Sequence, residues 1–434
     1  MTQRKKLKAE AFDVMQYFYS MFHDPLIHCL IDFDGHVDEV ALKKAVSFSF
    51  RFIPMLQCTF EVTGRRPFWK IQGFTGDDVV HVVKAGLNTA GQKENLFAET
   101  IDMAYEPQLK INVIRGQNSD SLCIIMNHMV CDGAGFKEYL YLLSDMYTRY
   151  VNNMTIPISE LQAFPRNARQ LWAAFGWSDK LKILFARHDL SAQKNQLRLP
   201  LQGDVNHSFF ATSSIAKEDF DTIRRHARQS GVTFNDLILT AYARVLFKEI
   251  GVNPIVIPCP VDLRRYLPTD WKYGITNLTG NLICNVTVGE SESFEQTLTK
   301  VSQQLKRQKS SINCLKSAMM MESAYHILPF RTLQRIFPKV FTIPVVSFSN
   351  LGVIDKDRLC FGSEIIDDAY LTGAVKYVPY FQIAISTYND SSTLSCNLHG
   401  TRQDRMAIEK FLDEVKEELL ACSGSDFYNN QEQY

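Results

Sequence analysis

Apolar residues along the chain switch between two periods, and the switches mark its elements. In HCLIDFDG, Cys29, Ile31 and Phe33 fall on one face with period two, which predicts a strand. A helix follows from Asp38 to about Phe52 and stops before Pro54. LQCTFEV and RPFWKIQ predict two strands across a Thr63-Gly64-Arg65 turn. PQLKINVIRG and SLCIIMNHM predict a second strand pair, which runs into an Asp132-Gly133 turn. Beyond it, GFKEYLYLLSDMYTRYV returns to the helical period, with Phe136, Leu140, Leu143 and Tyr147 on one face.

From about 151 to 205 the pattern weakens. VNNMTIP, AFPRNAR and RLPLQGD place prolines and polar residues around one helix near 178–187. This predicts a crossover: an N-terminal half over 1–165, a linker over 166–199 and a C-terminal half over 200–434. The second half reads as a strand in HSFFATSSI and a helix in KEDFDTIRRHARQSG ending at Gly231. TFNDLILTAYARVLFKEIG follows as a helix capped by Thr233 and apolar around most of its circumference, which predicts burial. Strands are expected in IVIPCPV, NLICNVTV, VVSFSNLG, FQIAIST and TLSCNLHG, and a last amphipathic helix from about Gln403 to Leu420. Helices and strands mix throughout, so the class is α/β, or an α+β sandwich, with a sheet in each half.

Composition narrows the functional classes. The 434 residues exceed what one core usually serves, and 46% hydrophobic with 22% charged is ordinary for a globular protein. Forty-seven basic residues against 47 acidic ones give a formal net charge of zero, which argues against a nucleic-acid partner. No run reaches the roughly 18 apolar residues of a transmembrane segment. In AFDVMQYFYSMF, Asp13 and Gln16 interrupt any export signal. The ten cysteines form no C-x-x-C pair and mostly sit in apolar runs, which suggests reduced thiols and a cytoplasmic protein. There the Asn-x-Ser/Thr sequons carry no meaning.

The segment with chemical content is Asn127-His128-Met129-Val130-Cys131-Asp132-Gly133, an H-x-x-x-D-G constellation between a strand and a helix. Ten histidines would produce such a match about 0.03 times by composition alone. A histidine leaving an apolar strand end is rigidly held, partly desolvated and near neutral pKa, which suits a general base. Asp132 follows too closely along the backbone to be assumed to orient the ring, and a buried carboxylate there calls for a cationic partner. Gly133 permits a tight turn at a helix N-terminus, where an amide and partial positive charge can face an anion. The alternative is a hydrogen-bonded histidine at a strand end followed by an aspartate that only caps the helix. No P-loop, G-x-S-x-G elbow or H-E-x-x-H is present, and the spacing of His23, His28 and Cys29 matches no familiar metal site. The basic run KRQKSS after Leu305 reads as a solvated helix face, or as a group able to meet cofactor phosphates.

H-x-x-x-D-G resembles the signature of the CoA-dependent acyltransferase superfamily built on the chloramphenicol-acetyltransferase-like fold. That group includes alcohol acyltransferases, wax-ester synthases and nonribosomal-peptide condensation domains. Three further segments resemble it in order: GVTFNDLILTAYARVL its G-x-T-x-N-D helix, VDLRRYLPTDWKYGITNLTGNLICNV its D-x-R strand end, Pro-containing loop and Gly-Asn strand, and VVSFSNLG its late strand end with Ser, Asn and Gly. The resemblance covers nearly the whole chain. Two departures stand out. Asn127 occupies the place where condensation domains commonly carry a first histidine, and Ser347-Phe348-Ser349-Asn350-Leu351-Gly352 replaces the plant-type D-F-G-W-G.

The resemblance implies two chloramphenicol-acetyltransferase-like halves forming a pseudo-dimer, with a tunnel between them. It makes His128 the base that deprotonates a hydroxyl or amine acceptor, which attacks an acyl thioester directly, without an acyl-enzyme. Asp132 becomes a structural residue paired with Arg264, although Arg264 and Arg265 could also be a solvated strand-end pair. Ser347, Ser349, Asn350 and Asn281 are the implied oxyanion or substrate-binding residues. The implied donor is acyl-CoA, or acyl-phosphopantetheine on an acyl carrier protein, with no permanently bound cofactor and no metal. Within this reading the chain is an acyltransferase moving groups other than amino-acyl groups. A condensation-like amide or ester synthase and a non-catalytic carrier-docking protein of the same fold stay open.

Overall fold

The computed structural model describes residues 6–155, 165–185, 197–267, 275–340 and 344–429, with side chains as far as 422. Two large sheets organise it. The first has five strands in the order Ile365–Thr372, Leu26–Asp34, Asp120–Asn127, Leu109–Arg115 and Val80–Lys84. All its pairings are antiparallel except the last. The second runs Val346–Ile354, Phe381–Tyr388, Ser391–His399, Val375–Tyr377 and His23–Asp24, and Ser208–Ile215 also pairs with Ser391–His399.

Each sheet borrows a strand across the middle of the chain. Ile365–Thr372, late in sequence, pairs with Leu26–Asp34, while His23–Asp24 pairs with Val375–Tyr377. The two halves read from the sequence are therefore stitched by backbone hydrogen bonds. The expected crossover holds short helices at Arg169–Ala173 and Trp177–Phe185, and Ala168, Leu171 and Ile183 are buried with the second-half core. Residues 268–274, in the expected Pro-containing loop, lie outside the described residues.

The sequence pattern explains the layers. Cys29, Ile31 and Phe33 face the large first core, where they meet Leu42 and Val46 of the helix Glu39–Ser49 and Phe136, Leu140 and Leu143 of the helix Gly133–Val151. The strand is buried on its other face too, because Leu30 packs with Phe97, Ile114 and Cys123. The helix Phe234–Ile250 begins with a reciprocal cap between Thr233 and Asp236 and ends at Gly251, whose φ of 67° is left-handed. Leu237, Ile238, Leu239, Ala241, Tyr242 and Ala243 are all buried, as the sequence predicts for this helix.

The apolar stretch around Asp13 turns out to be a helix, Ala11–Tyr19. Its interrupting aspartate is buried and satisfied: Asp13 accepts from Trp69 Nε1 at 2.8 Å and from Arg166 Nη2 at 2.7 Å.

One gap matters for function. Among the described residues, Ile255–Asp262 pairs only with Thr279–Val286 and runs beside Val346–Ile354 without joining it. Pro258 and Pro260, two residues apart, have no N–H to offer on that side. On the far edge of the same pair, Gln308 and Gln304 accept from the amides of Ile283 and Asn285, both at 2.7 Å. Side chains thus satisfy edges that a third strand would otherwise close.

Candidate active site

The Asp120–Asn127 strand, buried throughout, delivers His128 to the boundary between the halves. Asn127 does not reach into the site. Its side chain accepts from Met129 N at 2.9 Å and donates to Gln108 Oε1 at 2.8 Å, so it fixes the turn that carries His128. The His128 amide donates to Pro25 O at 2.7 Å.

The ring is oriented by a residue from the other half. Asn277 Nδ2 donates to the carbonyls of His128 at 2.9 Å and Met129 at 3.3 Å, which sets its amide so that Oδ1 faces His128 Nδ1 at 3.2 Å. Nδ1 therefore carries the proton and Nε2 holds the lone pair. Nε2 has no hydrogen-bond partner among the described residues. Burial lowers the His128 pKa below the ordinary histidine value, against the opposing pull of Asp132, and the Lys376 charge lowers it further. The imidazole is thus neutral and available as a base at neutral pH.

Asp132 caps the helix Gly133–Val151, with its side chain accepting from Gly135 N at 2.9 Å. Its other oxygen, Oδ2, accepts from Arg264 Nη1 at 3.0 Å, Leu278 N at 2.7 Å and Thr279 Oγ1 at 3.0 Å. Arg264, equally buried, also reaches Asp262 at 3.0 Å and Thr276 O at 2.7 Å. Burial works against the charged form of Asp132, but the Arg264 charge and these donors hold its pKa below the usual carboxylate range. Asp132 has no spare capacity for proton transfer. It ties the helix start to the Thr276–Thr279 segment of the other half.

A cavity of about 590 Å³ opens beside His128, with walls from both halves. Asp132, Gly133, Thr279 and Asn281 line it, as do Ser347 and Ser349, which project from the same face of their strand while Phe348 turns into the core. Asn350 lies outside this lining, exposed, with its side chain accepting from Gly352 N at 2.8 Å. Gly133 has little room for a side chain, since a Cβ would come 2.8 Å from Leu351 Cδ2. Three residues of the basic run, Arg307, Gln308 and Ser311, also line the cavity, so this segment is not wholly turned to solvent.

Several lining or supporting residues escaped the sequence reading. Asn277 and Thr279 fall inside the segment that resembles the D-x-R strand end and Gly-Asn strand, but neither was given a role there. Lys376 and His23 occupy adjacent paired strands and are both buried. The signal for Lys376 was a lone cation inside GAVKYVPYF. His28, considered with His23 as a metal ligand, instead stacks against Phe97 at 5.5 Å and meets Phe210 edge-on at 5.1 Å. Among the described residues, no three His, Cys, Asp or Glu side chains gather as metal ligands, and no helix is long and apolar enough to cross a membrane. All ten cysteines are free and nine are buried, Cys360 being exposed.

No protein-family model matches the chain. Among curated proteins, it is 23% identical over 278 residues to surfactin synthase subunit 1 of Bacillus subtilis, covering 62% of this chain and 7% of that protein. It is likewise 23% identical over 431 residues to malpinin synthetase of Mortierella alpina, covering 93% of this chain and 5% of that protein. The chain thus spans a small fraction of these relatives. Among solved structures, the epimerization domain from the third module of tyrocidine synthetase B matches with a TM-score of 0.69 at 14% identity, covering 98% of this chain and 97% of that one. The first condensation domain of the calcium-dependent antibiotic synthetase matches at 0.68 and 15%, covering 97% and 98%. Trichothecene 15-O-acetyltransferase from Fusarium sporotrichioides matches at 0.67 and 12%, covering 97% and 94%. These likenesses show the fold: mixed α/β, with two chloramphenicol-acetyltransferase-like halves, as in condensation domains and acyltransferases.

Proposed function

We propose that the protein is an acyltransferase that moves an acyl group from a thioester donor to a hydroxyl or amine acceptor, with His128 as general base. The observation that carries this reading is the neutral imidazole held by Asn277, with its free Nε2 beside a cavity shared by both halves. His128 Nε2 takes the proton of the acceptor O–H or N–H as the acceptor attacks the thioester carbonyl. A C–O or C–N bond forms, the C–S bond breaks as the tetrahedral intermediate collapses, and the imidazolium returns its proton to the leaving thiolate. The developing oxyanion needs donors already in place. Ser349 and Asn281 line the cavity with side chains that make no hydrogen bond to described residues, while Ser347 Oγ donates to Phe381 O at a long 3.5 Å.

Direct attack is favoured over an acyl-enzyme. Cys314, the cysteine in the cavity wall, has its pKa raised by burial, so it is a protonated and poor nucleophile. The donor in this reading is carried on a phosphopantetheine arm, either of CoA or of a carrier protein. The synthetase relatives favour the carrier-borne form, and the acetyltransferase neighbour keeps the CoA form in play. Free-thiol release from a panel of acyl-CoA and acyl-pantetheine carrier donors tests the assignment. His128→Ala is expected to lose about 10²–10⁴ in rate. Equal rates for wild type and variant would remove His128 from the chemistry, and the donor class that supports turnover selects the carrier.

A further inference from the structure

The cavity wall holds a cation with no counterion. Lys376 is the middle residue of the strand Val375–Tyr377, 8% exposed, and lines the same cavity as His128. Its ammonium makes no hydrogen bond or ion pair with any described residue. The titratable neighbours that act on it, or that it acts on, are Cys396, His23 and His128. None is a carboxylate. Among the described residues, the buried carboxylates Asp132 and Asp13 near this boundary are by contrast matched, by Arg264 and Arg166. Burying an ammonium without a partner costs several kcal/mol, and a purely structural position would be served better by methionine or leucine.

Resting on the acyl-transfer reading above, we infer that Lys376 receives the carboxylate of an acidic acceptor, a 2-amino or 2-hydroxy acid, whose nucleophilic atom then faces His128. In such acids the carboxylate sits one carbon from the attacking nitrogen or oxygen, so a cation that shares the cavity with the base holds both ends. Burial brings the Lys376 pKa down to about 8, so at neutral pH the side chain is charged and can pair. Pairing also removes a charge that weakens His128, so the base gains proton affinity when the acceptor is bound. The same cavity presents Phe12, Met15 and Tyr19, surfaces that suit an apolar or aromatic side chain.

The test reads binding, so it does not depend on turnover. Isothermal titration of wild type with N-acetyl-L-phenylalanine and with N-acetyl-L-phenylalaninamide compares a carboxylate with its neutral isostere. The carboxylate should bind about 10- to 100-fold tighter, the worth of one charge-assisted hydrogen bond. Lys376→Met should abolish the difference while keeping amide binding and urea stability, Lys376→Arg should restore part of it, and His128→Ala should leave it intact. A third probe, N-phenethylsuccinamic acid, moves the carboxylate to the acyl side. The inference falls if wild type binds carboxylate and amide equally or binds neither at millimolar concentration. It falls equally if the preference survives Lys376→Met or appears only with the acyl-side probe. A protein that shows the preference but releases thiol from no donor would sink the acyl-transfer reading and leave the anion site standing.

Discussion

Asp132 sits at the join between the halves, and its replacement gives the sharpest check on the division of labour within H-x-x-x-D-G. In Asp132→Asn the helix cap to Gly135 can persist, but an amide NH₂ replaces the oxygen that now accepts from Arg264, Leu278 and Thr279. The Leu278 N–H is left unpaired in a buried setting, a cost of about 1–3 kcal/mol. Arg264 keeps Asp262 and the Thr276 carbonyl but loses its buried counterion. Breaking a buried pair from one side typically costs about 3–5 kcal/mol, and that is the expected loss here. Arg264→Met should cost about 3 kcal/mol, the lower end of that range, because Asp132 retains three neutral donors.

Urea unfolding of wild type, both single variants and the double variant measures these terms. With neither charge left to compensate, the double variant should lose at least about 1 kcal/mol less than the sum of the singles. The pH window follows from the sign of the shift. The Asp132 pKa is lowered by folding, so its stabilisation is complete above the unfolded value of 3.8 and is lost as pH falls through the folded value. Measurements at pH 7 therefore capture the full effect. Additivity within about 0.5 kcal/mol, or single losses below about 1 kcal/mol, would refute the structural role argued for this pair.

Three other outcomes follow from the same geometry. The acid limb of kcat/KM should fall below 6.5, since burial lowers the His128 pKa; a limb at or above 6.5 would contradict the environment described for the ring. His28 is buried between aromatic rings with its pKa pushed down to about 3, so its neutral form stabilises the fold fully above 6.5 and loses that contribution as pH falls towards 3. Comparing urea midpoints at pH 8 and pH 4, His28→Leu should lessen the acid loss by about 3 kcal/mol, and an unchanged loss would count against the buried neutral imidazole. At Gly280 a Cβ would lie 2.5 Å from the Cys314 carbonyl oxygen, so Gly280→Ala should destabilise by about 1–3 kcal/mol through overpacking, and a thermal midpoint equal to wild type would remove that contact as a constraint.

The parts of the fold that were legible in the sequence are those where one local rule decides. Thr233 and Asp236 cap a helix that Gly251 ends, and both signals are local. The helix at Ala11–Tyr19 was hidden because its polar residues have distant partners, Trp69 and Arg166, which no periodicity reveals. Strand exchange was hidden for the same reason: Ile365–Thr372 reads as a half-polar segment because Ile365 and Asp367 face out, and its place beside Leu26–Asp34 is a long-range pairing. At the site, His128, Asp132 and Gly133 stood out as one compact motif, and the resemblance supplied Arg264. Asn277 and Lys376 could not be read this way, because each acquires its role only when a second element is brought against the first.

Charge shows the same divide between composition and structure. Equal numbers of acidic and basic residues set the net charge, but they do not set the field inside a cavity. There the balance depends on which charges are already paired. Among the described wall residues, the carboxylate Asp132 is taken up by Arg264, while Lys376 and Arg307 keep their charge without an ion-pair partner. A neutral chain therefore presents a cationic cavity. Salt screens the exposed Arg307 strongly and the buried Lys376 weakly, so the electrostatic part of recognition that should survive high ionic strength is the part that Lys376 supplies.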